Sequence, residues 1–300
     1  MSDNAKNTAQ LKLVQKDTID IVAKKVREFQ ERGELNFPAN YSPENAMKSA
    51  WLELQSTVDR NKRPALEVCT KNSIANTLFN MIVQGLNPAK KQCYFIVYGD
   101  SLTLHRSYFG ALHLAKTMDE SIEEITADVV YEGDEFEFEK KRGKTIISKH
   151  IQRLENIDKN KIKAAYCSIF KANGYEDTTV MTFDQIKDAW KQSQTSPVNE
   201  NGGVKSSSVH GKFTADMAKK TVINRACKVV INSSNDRSLI IKSYTESEAA
   251  ISEAQAQEEI AANANTIVVD GDTGEVVSAP DDLPQGSDAT PNAPAGDDLP

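Results

Sequence analysis

The 300 residues, 39% hydrophobic and 26% charged, fit a soluble globular protein with room for one large domain or two modest ones. No apolar run approaches the ~20 residues that span a bilayer, and residues 1–10 are polar, without the apolar core of a signal peptide, so a membrane protein is excluded and a cytoplasmic location expected. The formal charge of −7 hides a division: residues 246–300 hold 13 acidic and no basic side chains, leaving a basic body, 1–245, with 36 basic and 30 acidic ones.

In chain order, residues 11–35 predict a helix, with Leu11, Val14, Ile19, Val22 and Val26 on one face and Gly33 near its end. A second helix is predicted from Ser42-Pro43, an N-cap followed by proline at the first helical position. It carries Met47, Ala50, Trp51 and Leu54, with Trp51 and Leu54 serving either the core or a subunit contact. A third helix is predicted over about 64–84, ended by Gly85 and Pro88.

The pattern then changes to period two. Residues 92–106 predict a hairpin turning at Gly99-Asp100, and 108–118 a short helix. Strands are predicted near 122–131, 135–140, 144–151, 162–171 and 176–182, with a helix over 183–192 after them. Residues 193–212 are rich in Ser, Gly and Asn and predict a mobile loop. A helix follows over 214–231, and a polar one over 245–262. Beyond about Asn263 the chain is too polar to offset its ordering entropy and is predicted to be disordered. That tail repeats Asp281-Asp282-Leu283-Pro284 as Asp297-Asp298-Leu299-Pro300, through low complexity or as a docking motif. The expected fold is α+β: helices packed around a hairpin and an antiparallel β-meander, with a disordered acidic C-terminal tail.

Several chemistries find no support. Cys69, Cys93, Cys167 and Cys227 form no CxxC pair and are expected to be buried thiols. The four histidines, His105, His113, His150 and His210, form no metal-ligand cluster. Gly143-Lys144-Thr145 resembles the end of a phosphate-binding loop, but Phe138 stands where its first glycine belongs, so it reads as a basic hairpin turn. In Glu135-Phe136-Glu137-Phe138-Glu139, alternation puts the three carboxylates on one solvated strand face and both rings on the other.

Two segments have the composition that single-stranded nucleic acid requires, cations for phosphates and rings for bases. In the first, Lys90 and Lys91 precede the hairpin, Tyr94 and Tyr98 share one strand face, and His105, Arg106 and Tyr108 close it. Cys93, Phe95 and Val97 take the other face. Periodicity does not say which face meets the core, although it favours the tyrosines there. In the second, Val222, Ile223, Ala226, Val229 and Val230 share one side of the 214–231 helix. Lys220, Asn224 and Lys228 take the opposite side, flanked by Thr221 and Arg225, with Lys212 and Lys219 nearby. From Lys205 to Lys242 there are eight basic residues and two acidic ones, a bias that favours phosphate contact.

Gly85-Leu86-Asn87-Pro88, Tyr94-Phe95-Ile96-Val97-Tyr98-Gly99, Arg106-Ser107-Tyr108-Phe109-Gly110 and Met217-Ala218-Lys219-Lys220-Thr221-Val222-Ile223 together resemble the RecT family of phage single-strand annealing proteins, relatives of λ Redβ. The likeness covers roughly residues 19–243. It departs where the family helix often continues with two basic residues and this chain has Asn224-Arg225. The resemblance implies ATP-independent binding of single-stranded DNA, and annealing through a duplex intermediate in a homo-oligomer or filament inside the bacterial host. No cofactor or catalytic metal is implied. A phage exonuclease or the host single-strand binding protein is the implied partner of the tail. The competing readings are a Mg-dependent DNA nuclease using Glu132 and Asp134, and a non-annealing phage structural or assembly protein.

Overall fold

A computed structural model describes the backbone of residues 2–192, 197–234, 238–264, 268–269 and 276–278. It is α+β. Helix α1 (Ser2–Glu31) ends at Gly33, whose φ of 71° suits a residue without a Cβ. Helix α2 (Pro43–Ser56) begins as its sequence dictates: the Ser42 side chain accepts from the Asn45 amide and Pro43 takes the first turn.

The single helix expected over 64–84 is two, α3 (Ala65–Val68) and α4 (Lys71–Val83). Cys69 is extended between them, and Thr70 caps the new start by accepting from the Ser73 amide. The break frees the Thr70 amide to donate to the Asp100 carbonyl, 2.9 Å away in the hairpin turn.

That hairpin, β1 (Cys93–Tyr98) with β2 (Ser101–Arg106), is in register as expected, Tyr94 opposite His105 and Tyr98 opposite Ser101. Cys93, Phe95, Val97, Leu102 and Leu104 are buried with α1, α2 and α4 in one hydrophobic core. The odd-numbered face of β1 therefore packs inward. The two tyrosines part company: Tyr98 is buried, whereas Tyr94 is 44% exposed.

Helix α5 (Tyr108–Met118) leads to the second core. Strands β3 (Ile122–Tyr131), β6 (Ile162–Lys171) and β7 (Glu176–Thr182) form an antiparallel sheet in the order β3-β6-β7. The meander is thus interrupted: β4 (Glu135–Lys141) and β5 (Lys144–Ile151) pair only with each other. Glu135, Glu137 and Glu139 are exposed, as the alternation predicts. Phe136 stacks on Tyr166 at 5.5 Å, while Phe138, displaced by a bulge after Glu137, is 46% exposed.

Helix α6 (Phe183–Lys191) starts with a capping box between Thr182 and Gln185. Residues 197–208, within the expected loop, are turns and bends around one isolated bridge. Val198 bridges to Val204 and is buried, and a short helix, α7 (Val209–Lys212), follows; residues 193–196 lie outside the described residues.

Helix α8 (Thr214–Ser233) packs on the sheet and α5. Ala218, Val222, Ile223 and Ala226 are buried as the helical stripe predicts, but Val229 is 63% exposed. It lies two turns beyond Val222 on the same side, but there the buried face of the helix has moved round to Cys227 and Ile231, and Val229 faces open clefts.

Helix α9 (Ser238–Ala264) starts earlier than expected, and Ile240 packs against both cores. The chain divides into two units, residues 1–254 and 255–300. Packing into the first unit continues beyond Glu246, where the charge changes sign, since Ser247 and Ala254 are buried. The segment expected to be disordered includes a short ladder, β8 (Val268–Val269) with β9 (Val276–Ser278). The Asp-Asp-Leu-Pro repeat lies outside the described residues. Among the described residues no helix is long and apolar enough to cross a membrane.

Candidate nucleic-acid interface

The glycine and serine motifs of residues 85–110 join the hairpin to α5. Gly85 takes φ 67°, Leu86 is fully buried, and the Asn87 side chain accepts from the Ala89 amide to start a 3-10 turn over Pro88–Lys90. Ser107 caps α5 by accepting from the Gly110 amide, and its hydroxyl donates to the Lys91 carbonyl at 2.5 Å. A Cβ on Gly110 would stand 2.1 Å from the Gln92 carbonyl oxygen, so only glycine lets strand and helix approach this closely.

The face of the hairpin away from the first core carries a short aromatic row, exposed only at Tyr94. Tyr94 and His105 stack at 5.4 Å and 23°, and Tyr98 lies 6.1 Å from His105 on a tilted plane. Burial, helped by the neighbouring Arg106 charge, lowers the His105 pKa from 6.5 to about 4, so this ring is neutral near pH 7. Its Nε2 lies 3.1 Å from the Thr103 hydroxyl.

Arg106 turns to the other face and inward. Its guanidinium donates to Gln84 Oε1 and Ser247 Oγ, both at 2.8 Å, and pairs with Glu248. It also lies 4.2 Å from the centre of the Tyr244 ring.

These two strand-end residues line an open cleft of about 900 Å³ with Asn224, Arg225 and Lys228 of α8. Segments more than 100 residues apart in the chain are thereby brought to one site. Asn224, Arg225 and Lys228 are exposed and have no acidic partner among the described residues. Trp190, Thr221, Tyr244 and Glu248 complete much of the wall. Sequence reasoning placed Thr221 beside the polar stripe but passed over the other three, because a lone tryptophan in a short helix and a Tyr-Glu pair in a polar one have no periodic signature. Trp190 Nε1 donates to Thr221 Oγ1 at 2.8 Å, which holds α6 against α8.

The remaining candidates stand outside the lining of this cleft. Lys90 and Lys91 are exposed on the turn before β1, and Lys91 adopts φ 55°. Lys220 Nζ lies 5.6 Å from the centre of the Tyr108 ring, which contacts Phe109 at 4.0 Å. Lys219 faces Asp128 at 3.5 Å, and Lys212 is exposed at the end of α7.

The carboxylates considered for a nuclease are arranged otherwise. Glu132 is exposed, whereas the Asp134 side chain is buried and accepts from the Tyr131 amide, Gln152 and Asn156, with His150 3.4 Å away. Burial would raise its pKa, but these donors outweigh burial and hold the carboxyl below its ordinary value. Among the described residues no three His, Cys, Asp or Glu side chains are grouped to hold a metal ion. All four cysteines are free and buried; burial raises the Cys69 thiol to about 11 and the Cys93, Cys167 and Cys227 thiols to about 12.

Compared with known proteins, the chain matches the model of the RecT family over residues 44–263. No curated protein matches it.

Proposed function

The chain belongs to the RecT family, phage single-strand annealing proteins of recombination, and from that premise we propose that it binds single-stranded DNA and pairs complementary strands without ATP. The observation that carries the reading is the cleft where His105 and Arg106 meet Asn224, Arg225 and Lys228. It offers Arg225 and Lys228, without acidic partners among the described residues, beside aromatic rings, the combination that tracks a phosphate backbone and stacks unpaired bases.

In this reading Arg225 and Lys228 neutralise phosphates in the cleft, and Asn224 donates to them. Lys90, Lys91, Lys212, Lys219 and Lys220 extend the positive field along the strand's approach. Tyr94 and His105 offer a stacking face, with Tyr98 supporting them from behind and Tyr108 holding Lys220. Arg106 acts indirectly, by fixing the end of β2. Contacts made to the backbone leave base-pairing edges free for a second strand to test, and pairing itself is downhill. No bond is made or broken by the protein, so neither a nucleotide cofactor nor a catalytic metal is needed.

Residues 1–245 supply DNA binding and self-association into an oligomer or filament. The acidic residues 246–300 recruit a partner, a phage exonuclease or the host single-strand binding protein, in the bacterial cytoplasm. The test mixes two complementary labelled oligonucleotides with the protein, without ATP, with and without Mg²⁺. Accelerated pairing with intact strands is expected. Mg²⁺-dependent loss of DNA would support a nuclease instead, and multimers that leave the pairing rate unchanged would support an assembly protein.

A further inference from the structure

Lys140, Lys141, Arg142 and Lys144 crowd the tip of the β4–β5 hairpin, with Gly143 in the turn. The turn is poorly suited to such residues on conformational grounds. Both central positions have positive φ, 52° at Arg142 and 82° at Gly143, and this turn type favours Asn-Gly or Asp-Gly over arginine. Lys141 and Lys144 are paired directly across the last rung, where like charges repel. Glu139 pairs with Lys141, while Lys140 and Arg142 are exposed and have no acidic partner among the described residues.

The tip is also tied down. The Thr145 amide donates to Asp177 Oδ1 at 3.2 Å, and Lys144 Nζ lies 3.6 Å from the centre of the Tyr175 ring. Lys171 approaches the same ring at 4.7 Å while pairing with Asp119 at 2.7 Å. Tyr175 and Lys171 line a second cleft, of about 370 Å³, whose opposite wall is the C-terminal half of α8. Val229 and Ser233 line both this cleft and the one holding Arg225 and Lys228. The exposed Val229 therefore stands between two cavities that share a wall.

We infer that the hairpin tip, with Lys140 and Arg142 foremost, is a second polynucleotide site that contacts the phosphates of the incoming strand while the first strand lies in the Arg225–Lys228 cleft. The inference rests on the strand-pairing reading and adds the location of the second strand. A polynucleotide fits better than an acidic peptide for two reasons. Its repeated phosphate charge matches several cations set close together at the tip, and the tip is held to Tyr175 and Asp177, which line a cleft that shares Val229 and Ser233 with the first-strand cleft.

The test uses the full chain and the double variant Lys140→Gln, Arg142→Gly. The second change places glycine at a left-handed position, so misfolding is not the expected result. First-strand affinity should change less than about twofold, while capture of a complementary strand by the preformed complex should slow roughly tenfold. The log–log salt slope of capture should flatten by ~1.4, or ~0.7 for each phosphate no longer neutralised. Capture at the wild-type rate overturns the inference. Equal loss of first-strand binding also overturns it, by making the tip part of the first track. A labelled peptide of residues 263–300 that binds wild type and loses affinity for the variant, with DNA capture unaffected, would assign the tip to the acidic tail. A wild-type protein that pairs no strands refutes the annealing reading itself, and the second-strand site with it.

Discussion

Arg106, at the end of β2, pairs with Glu248 of α9 across 142 residues of sequence. The two residues tie the hairpin to the helix that bridges both cores. Behind them Gln84, almost fully buried, accepts from Arg106 and donates toward Ser243 and Ser247.

Replacing Arg106 with alanine would leave Gln84 Oε1 buried without that donor, at a cost of about 1–3 kcal/mol. Glu248→Gln should cost less, about 0–1 kcal/mol, because the carboxylate side is 42% exposed and its charge is screened. Chemical denaturation checks both. Equal stability of Arg106→Ala and wild type would show that the network does not hold the hairpin.

Arg225→Ala and Lys228→Ala should each weaken binding of single-stranded DNA and flatten the log–log salt slope by ~0.7. Both side chains are exposed, so thermal midpoints should stay near wild type. Fluorescence anisotropy across a salt series reads the effect. An unchanged slope in both variants would place the DNA elsewhere.

His105 yields a pH prediction. The folded chain depresses its pKa from 6.5 to about 4, so the unfolded chain takes up the proton first. Its contribution to stability is complete above pH 6.5 and declines as pH falls from 6.5 toward 4. Between pH 7 and 8 the ring stays neutral, and DNA affinity should show no step that disappears in His105→Gln. Direct titration of the imidazole by NMR checks this, and a midpoint near 6.5 would contradict it.

Gly110→Ala should be disruptive. The added carbon would meet the Gln92 carbonyl oxygen at 2.1 Å, and relieving the clash means parting α5 from the start of β1. A loss of about 1–3 kcal/mol is the usual scale for overpacking, and contact with a backbone atom places this case at the upper end. Gly99→Ala makes a useful control: nothing lies within 4 Å of its added Cβ, so its cost comes from the φ of 58° alone. Denaturation midpoints that show Gly99→Ala to be the worse of the two would refute the close-approach argument.

Much of the fold was legible because it is written locally. Period-two alternation and the turn glycines at 99, 133, 143 and 174 marked every strand from β1 to β7 within a residue or two. Ser42-Pro43 marked the start of α2 for the same reason, since a cap is satisfied by neighbours three residues away. Thr70 offers a similar cap, but with no proline or glycine between Pro64 and Gly85 the sequence reads as one long helix across it.

What depended on distant partners was decided only by the tertiary structure. Periodicity separated Tyr94 and Tyr98 from Phe95 and Val97 and favoured the tyrosines for the core; packing against α2 and α4 instead turned the Phe95 and Val97 face inward, leaving Tyr94 exposed though Tyr98 is buried. The helical stripe placed Val229 with Val222, yet burial depends on what lies opposite: Cys227 and Ile231 of the same part of α8 are buried, while Val229 faces open clefts. The sequence alone identified a basic stripe on one helix and a cationic, aromatic hairpin. That Arg225 and His105 line the same cleft, while Arg106 beside them turns inward to Glu248, follows from chain folding over more than a hundred residues. Side-chain identity specifies the chemistry a residue offers, but long-range packing determines where that chemistry is presented.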